Sequence, residues 1–289
     1  MKFGVSILHT GQWASKEAIE KTAEQAERLE FNSIWVSDHI ITPTSYGKSY
    51  GYIYESIVTL SYLASLTENV ILGSSVIVLP IRDPVILAKQ LASLDLLSQG
   101  RLIVGFGSGW LKEEFEFLGK EFINRGKIMD EWIMTIKRLW SSERIVWEGK
   151  EMMFEPKPLQ KGGPKIIIGG NSKKAIIRAC KLGDGWNPVG ISPKILSKKI
   201  AFMRKMSNNY RKLIFLRIGC LPDIENAYKT KKSDYNYYLS GSLRAIAEDL
   251  EKYNELGVDH LIAYFGAVNL ENYLERMRKF KDIMRSFQN

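Results

Sequence analysis

Two glycine-rich stretches and one Asp-His pair are the parts of this chain whose residue types could hold and transform a ligand. Gly105, Gly107 and Gly109 alternate with Phe106 and Ser108. They leave main-chain amides uncovered, which suits an anionic or planar group. The dinucleotide fingerprint is not met, because Trp110 stands where its spacing needs room for the last glycine. Gly169 and Gly170 keep side chains away from a second strand end, and Asn171 or Ser172 then caps a helix. The free amides and positive dipole end of that helix make a phosphate chemically natural above it. A turn that uses glycine for geometry alone is the competing reading at both places. Asp38 and His39 stand together at the end of an apolar run, and His9 ends another. Imidazole titrates near neutral pH, so His39 beside a carboxylate is a candidate general acid or base.

The elements that must position these residues are clearest in 70–110. An apolar run over 70–79 is stopped by Pro80, Asp83 caps a helix with Pro84 at its first position, and Leu87, Ala88, Leu91 and Leu94 keep a 3.6-residue period until Gly100. The run 102–106 is apolar on both faces, the mark of a parallel strand covered by helices. The same alternation fills the chain, with strands predicted at 2–9, 33–38, 70–79, 102–106, 165–170, 184–189, 214–221 and 260–265. Helices are predicted from Ser15 to Leu29, then over 54–66, 111–118, 125–140, 173–182, 193–207 and 243–256, with a last one to about Phe287. A small hairpin over 145–154, turning at Glu148, Gly149 and Lys150, is inserted before the fifth strand. Eight strand–helix pairs predict an α/β fold, a (β/α)8 TIM barrel in a single domain over 1–289, with an open doubly wound sheet as the alternative.

In such a barrel the site forms at the C-terminal strand ends. His9, Asp38, His39, Gly107, Ser108, Gly109 and Gly169 to Ser172 all fall there, whereas Arg101 and His260 begin their strands and are expected to stabilise the opposite face.

The composition, 289 residues with 45% hydrophobic and 25% charged, is that of a globular protein. No apolar run approaches the roughly 20 residues that span a bilayer, and the N-terminus lacks a signal peptide's apolar region, so a cytoplasmic location is expected. Cys180 and Cys220 form no C-x-x-C pair, and with three histidines in the chain no metal site is expected. The net charge is +9, and 191–240 alone holds eleven Lys/Arg against Asp223, Glu225 and Asp234. That segment suits a polyanionic small molecule, a nucleic acid or a membrane surface, or it is a solvated helix face. Without an aromatic-basic recognition motif the nucleic-acid reading ranks last. The expected partner is a small-molecule substrate, with neither nucleic acid nor membrane and with a homodimer open.

The stretches SDHI (37–40), LGSSVIVLP (72–80), DPVILAKQLASLDLLSQGRLIVGFGSGW (83–110), PKIIIGGNS (164–172), DGWNP (184–188) and GSLRAIAEDLEKYNELGVDHLI (241–262) occur in one order. Together they resemble the bacterial luciferase-like monooxygenase family, most closely the branch that uses the deazaflavin coenzyme F-420. The resemblance thins over 191–240. It implies a barrel with the cofactor ring over the strand ends and a cis peptide bond at Ser75–Val76 beneath the ring. It further implies that Gly107, Ser108 and Gly109 with Gly169, Gly170, Asn171 and Ser172 hold the cofactor's polar chain and phosphate. Asp38 then lies beside the ring, and His39 matches the acid or base of some deazaflavin-dependent dehydrogenases. The acidic partner that some relatives carry just after the glycine turn is replaced by Trp110, which argues against a sugar-phosphate substrate and leaves the second catalytic group unassigned. Flavin mononucleotide (FMN) in the same pocket, making the protein a monooxygenase, is the alternative.

Overall fold

A computed structural model describes residues 1–47, 51–208, 210–222, 233–266, 268–285 and 287. Its strands are β1 (Lys2–Ser6), β2 (Ser33–Val36), β3 (Ile71–Ser74), β4 (Ile77–Val78), β5 (Leu102–Gly107), β8 (Lys165–Gly169), β9 (Gly185–Asn187), β10 (Leu213–Leu221), β11 (Tyr238–Ser240) and β12 (His260–Tyr264), with β6 (Ile145–Trp147) and β7 (Lys150–Met152) forming the separate hairpin. Parallel pairing runs β1-β2-β3-β5-β8-β9-β10-β12, and β12 returns to β1 with Lys2 opposite His260. The sheet is therefore a closed barrel of eight parallel strands, and the open-sheet alternative is excluded.

Because the strands are covered on both sides, β2 and β5 are buried at every residue. The inside of the barrel is filled by Trp35, Ile103, Ile167, Phe215 and Ile262. Trp35 takes much of that space, and its neighbours are glycines for that reason. A Cβ on Gly73 would lie 2.3 Å from the indole, and one on Gly4 2.5 Å from its Nε1. Side-chain caps start the surrounding helices as their sequences require: Ser15 accepts from Ala18 N at 3.0 Å, and Asp83 accepts from Val85 N and Ile86 N at 2.9 Å each. The hairpin turns at Glu148 and Gly149, both with positive φ.

Three details depart from the sequence reading. The third strand is interrupted: β3 ends at Ser74, the Ser75–Val76 bond is cis as the resemblance implied, and β4 resumes with Ile77 opposite Phe106. A short strand, β11, pairs with Gly219 to Leu221 of β10, although Tyr237 and Tyr238 precede a lone Leu-Ser and offer no alternating pattern to announce it. The helix expected from Tyr54 starts at Ser56, because Glu55 supplies the cap by accepting from Val58 N at 2.7 Å.

The face opposite the site holds Arg101 and His260, as expected. Arg101 donates to the carbonyls of Ala64, Thr67, Val70 and Ser98, closing the loop ahead of β3. His260 is 3% exposed; its Nε2 lies 2.6 Å from Ser33 Oγ, which in turn accepts from Trp35 Nε1 at 2.6 Å. Burial, reinforced by Lys2 and the chain's amino terminus, pushes this imidazole down to about 3 from 6.5. Between those two values the unfolded chain binds a proton that the folded chain refuses. The stabilisation is therefore complete above pH 6.5 and is lost as pH falls toward 3, with a slope approaching about 1.4 kcal/mol per pH unit. Chemical denaturation from pH 7 to pH 4 is expected to show this loss, and His260→Gln is expected to reduce the slope.

Candidate functional site

A cavity of about 790 Å³ opens at the C-terminal strand ends. Of the residues picked out in the sequence, Asp38, His39, Ser75, Val76, Gly107, Ser108, Gly109, Gly169 and Gly170 line it. Asn171 and Ser172 are not among the lining residues. Ser172 is the helix cap, accepting from Ala175 N at 3.1 Å, whereas Asn171 bridges the ends of β8 and β9 through two hydrogen bonds with Val189, of 2.7 and 3.0 Å.

His39 is buried, and its partner is a residue the sequence did not single out. Its Nδ1 lies 2.9 Å from Oε2 of Glu114, on the helix Lys112–Phe117. The other oxygen of that carboxylate accepts from Ile40 N at 2.6 Å and Ile41 N at 3.3 Å, so the helix and the end of β2 hold each other. A carboxylate held by two amides accepts at Nδ1 as well. Nδ1 therefore carries a proton, and exchange with a molecule in the cavity falls to Nε2. Glu114 stands four residues after Trp110, on the helix Lys112–Phe117 that follows it. Its run, KEEFEF, looks like a solvated face, and nothing in the charge pattern distinguishes Glu114 from Glu113 or Glu116. Trp110 itself packs edge to face on the His39 ring at 5.6 Å and on Tyr46 at 5.4 Å.

Asp38 does not pair with His39, contrary to the sequence reading. Its Oδ2 accepts from Val78 N at 3.0 Å and its Oδ1 from Ser56 Oγ at 3.0 Å, while Arg82 reaches both oxygens. Arg82 also donates to Glu55 at 2.7 Å. Burial opposes the charge on Arg82, but the two carboxylates outweigh it and hold the guanidinium above its ordinary range. The cluster ties β2, β4 and the helix Ser56–Leu66 together. His9 is likewise structural. It accepts from Ser37 N at Nε2 (2.9 Å) and meets Ile7 O at Nδ1 (2.8 Å), and burial pushes it below its usual value, helped by the charge of Arg217.

The floor of the cavity is Val76. A Cβ on Gly107 would lie 2.5 Å from its Cγ2, and one on Gly105 or Gly169 2.9 or 2.8 Å from its Cγ1. Gly107 and Gly169 thus make room for Val76, a reason the sequence did not offer, while at Gly105 the closest approach is to the Ser74 carbonyl, 2.1 Å away. Ser75 is fixed by donating to Asn187 Oδ1 at 2.7 Å, and its carbonyl accepts from Arg217 Nη1 at 2.7 Å. Gly170 has φ +116°, and a Cβ there would sit 3.3 Å from that of Ala175. Gly170→Val is therefore expected to abolish cofactor binding while far-UV circular dichroism keeps the barrel's signature, through backbone strain of about 1–3 kcal/mol at the strand end. A variant that binds cofactor normally would place the phosphate elsewhere.

The basic segment divides. Lys194, Lys198, Arg204 and Lys205 are exposed on the outer helix Pro193–Met206, and Arg211 pairs with Asp259. Lys199 donates to Asn171 O, and burial and the neighbouring Lys173 lower its pKa. Arg217 lines the cavity. Lys229, Lys231, Lys232, Asp223 and Glu225 lie outside the described residues. Among the described residues no helix is long and apolar enough to cross a membrane.

The family described as luciferase-like monooxygenase matches residues 1–219. A dimethylsulfone monooxygenase of Pseudomonas putida, named as FMNH(2)-dependent, is 29% identical over 192 residues, which are 64% of this chain and 52% of that protein. This chain thus spans about half the length of that relative. In solved structures the fold recurs in the monooxygenase RslO1 from Streptomyces bottropensis, with a TM-score of 0.83 and 23% identity over all of both chains. It recurs as well in an F-420-dependent secondary alcohol dehydrogenase holding an F-420–acetone adduct, with a TM-score of 0.82 and 17% identity over 100% of this chain and 99% of that one.

Proposed function

Because the chain belongs to the luciferase-like monooxygenase family, we propose that it is an oxidoreductase transferring hydride between coenzyme F-420 and a small organic substrate, with His39 as general acid or base. The observation that carries this reading is the buried His39–Glu114 pair in the cavity wall. A proton donor held in one tautomer beside an apolar floor suits a step in which hydride and proton move to or from the same substrate. Val76 offers the flat apolar support that a tricyclic ring needs. Gly107, Ser108 and Gly109 would face the polar chain with main-chain groups, and Ser172, Lys199 and the start of the helix Lys173–Leu182 would hold the phosphate. A deazaflavin delivers hydride from carbon and reacts poorly with dioxygen, whereas reduced FMN reacts with it readily. FMN-dependent monooxygenation is the second reading, supported by the name of the Pseudomonas relative.

Absorbance titration of the purified protein with each cofactor tests the choice. F-420 carries an acidic glutamyl tail beyond the phosphate, so F-420 is expected to bind more tightly than FMN and to lose affinity more steeply with salt. The Lys194, Lys198 and Lys199 to Gln triple variant is expected to weaken F-420, with Lys199→Gln alone giving most of the effect, since the other two point outward. Tighter FMN binding with equal salt slopes would favour the monooxygenase.

A further inference from the structure

The cavity has two chemically different sides. On β8, β9 and β10 its wall includes Gly169, Gly170, Gly190 and Gly219. On β1, β2 and β12, which are neighbours in the barrel, it is Thr10, Ser37, His39 and Tyr264, with Ile53 above them and Trp110 facing them from the end of β5. Ile53 is fixed there by a bridge to Thr10, and Gly11 N donates to Tyr52 O at 2.8 Å. Trp110 is 52% exposed although its indole is wedged between His39 and Tyr46. About half of this aromatic surface remains exposed at the cavity, next to His39.

Charge on this side is unwelcoming to anions. No lysine is among the described residues lining the cavity, Arg217 is engaged with the Ser75 carbonyl on the β10 side, and the Glu114 carboxylate lies directly behind His39. An acidic group placed beside His39 would lose hydration and meet that negative charge. A neutral ring would cover Trp110 and Ile53 and gain an offset or edge contact with the indole.

We propose that this side of the cavity binds neutral, planar, aromatic molecules and that Trp110 is the residue that selects them. The inference rests on the oxidoreductase reading for its biological meaning, since such a molecule would be the reaction partner of the cofactor. The binding preference itself belongs to this chain's own residues.

Isothermal titration calorimetry of the full chain, with and without saturating cofactor, against acetylnaphthalene and the nearly isosteric anion naphthoate tests it. Acetylnaphthalene is expected to bind at least about tenfold more tightly than naphthoate. Trp110→Ala is expected to weaken acetylnaphthalene by about tenfold and Trp110→Phe by no more than about threefold, with cofactor affinity unchanged in both. Equal or tighter binding of naphthoate would overturn the proposal, as would unchanged acetylnaphthalene affinity in Trp110→Ala or a loss confined to the cofactor. Should Trp110→Ala not fold, the ratio of the two probes in the native chain and the Trp110→Phe value decide. Failure of either cofactor to bind would remove the oxidoreductase reading, while the probe ratio in cofactor-free protein would still stand or fall alone.

Discussion

His39→Ala is expected to lower kcat by about 10²–10⁴ while the cofactor's Kd stays nearly unchanged. The separation follows from geometry. Nδ1 is consumed by Glu114, and the ring touches Trp110 at its edge, so the imidazole presents one nitrogen to the cavity and no large surface to a cofactor ring. Removing it takes away a positioned proton and little contact area. Glu114→Gln should show a smaller loss. The amide still accepts from Ile40 and Ile41, yet it presents an amide group toward Nδ1 and so weakens the control of the tautomer. Equal losses of cofactor affinity and turnover in His39→Ala would instead make the histidine a pocket-shaping residue.

Arg82→Met is expected to destabilise the fold by about 3–5 kcal/mol, because it strands a carboxylate whose side chain has no solvent exposure. Asp38 would keep its bonds from Val78 N and Ser56 Oγ but lose the cation that both of its oxygens contact. The companion Arg82→Met, Asp38→Asn double variant removes the buried charge and is expected to recover a substantial part of the loss. Urea unfolding of the two singles and the double measures the coupling. A single variant that unfolds like the native protein would mean that water reaches Asp38. Since Asp38 immediately precedes His39, Arg82→Met should also lower kcat by displacing the imidazole.

The barrel was legible because strands such as Leu102–Gly107 are apolar on both faces and several helices announce themselves with a cap such as Ser15, Asp83 or Ser172. The ends of strands could be sorted for the same reason, which placed His39 and the glycine turns on the site face and Arg101 and His260 on the other. What could not be read was pairing across the chain. Glu114 is 75 residues from its partner and sits in a run of acidic residues that individually look solvated. Asp38 was assigned to its sequence neighbour, whereas the cation that claims it is 44 residues away at Arg82. The glycines showed that something comes close, and only the fold adds that at Gly107 and Gly169 one such neighbour is Val76. The basic segment misled through its total, because exposed lysines on one helix face count in a sum as much as Arg217 in the cavity wall.

Val76 is the one side chain shared by three backbone positions, Gly105, Gly107 and Gly169, on two adjacent strands. The four residues therefore behave as a single heritable unit. A methyl group acquired at Gly107 or Gly169 would press on the valine, so its effect would reach the cavity through Val76 as well as directly. Such a change becomes tolerable only after the valine has shrunk. The order of such substitutions is thus constrained: a smaller residue at 76 has to precede a larger one at 107 or 169, whereas a Cβ at Gly105 is blocked by the Ser74 carbonyl, 2.1 Å away, whatever stands at 76. Coupling of this kind means that a side chain gained at Gly107 or Gly169 and one lost at Val76 are a single change to the cavity floor.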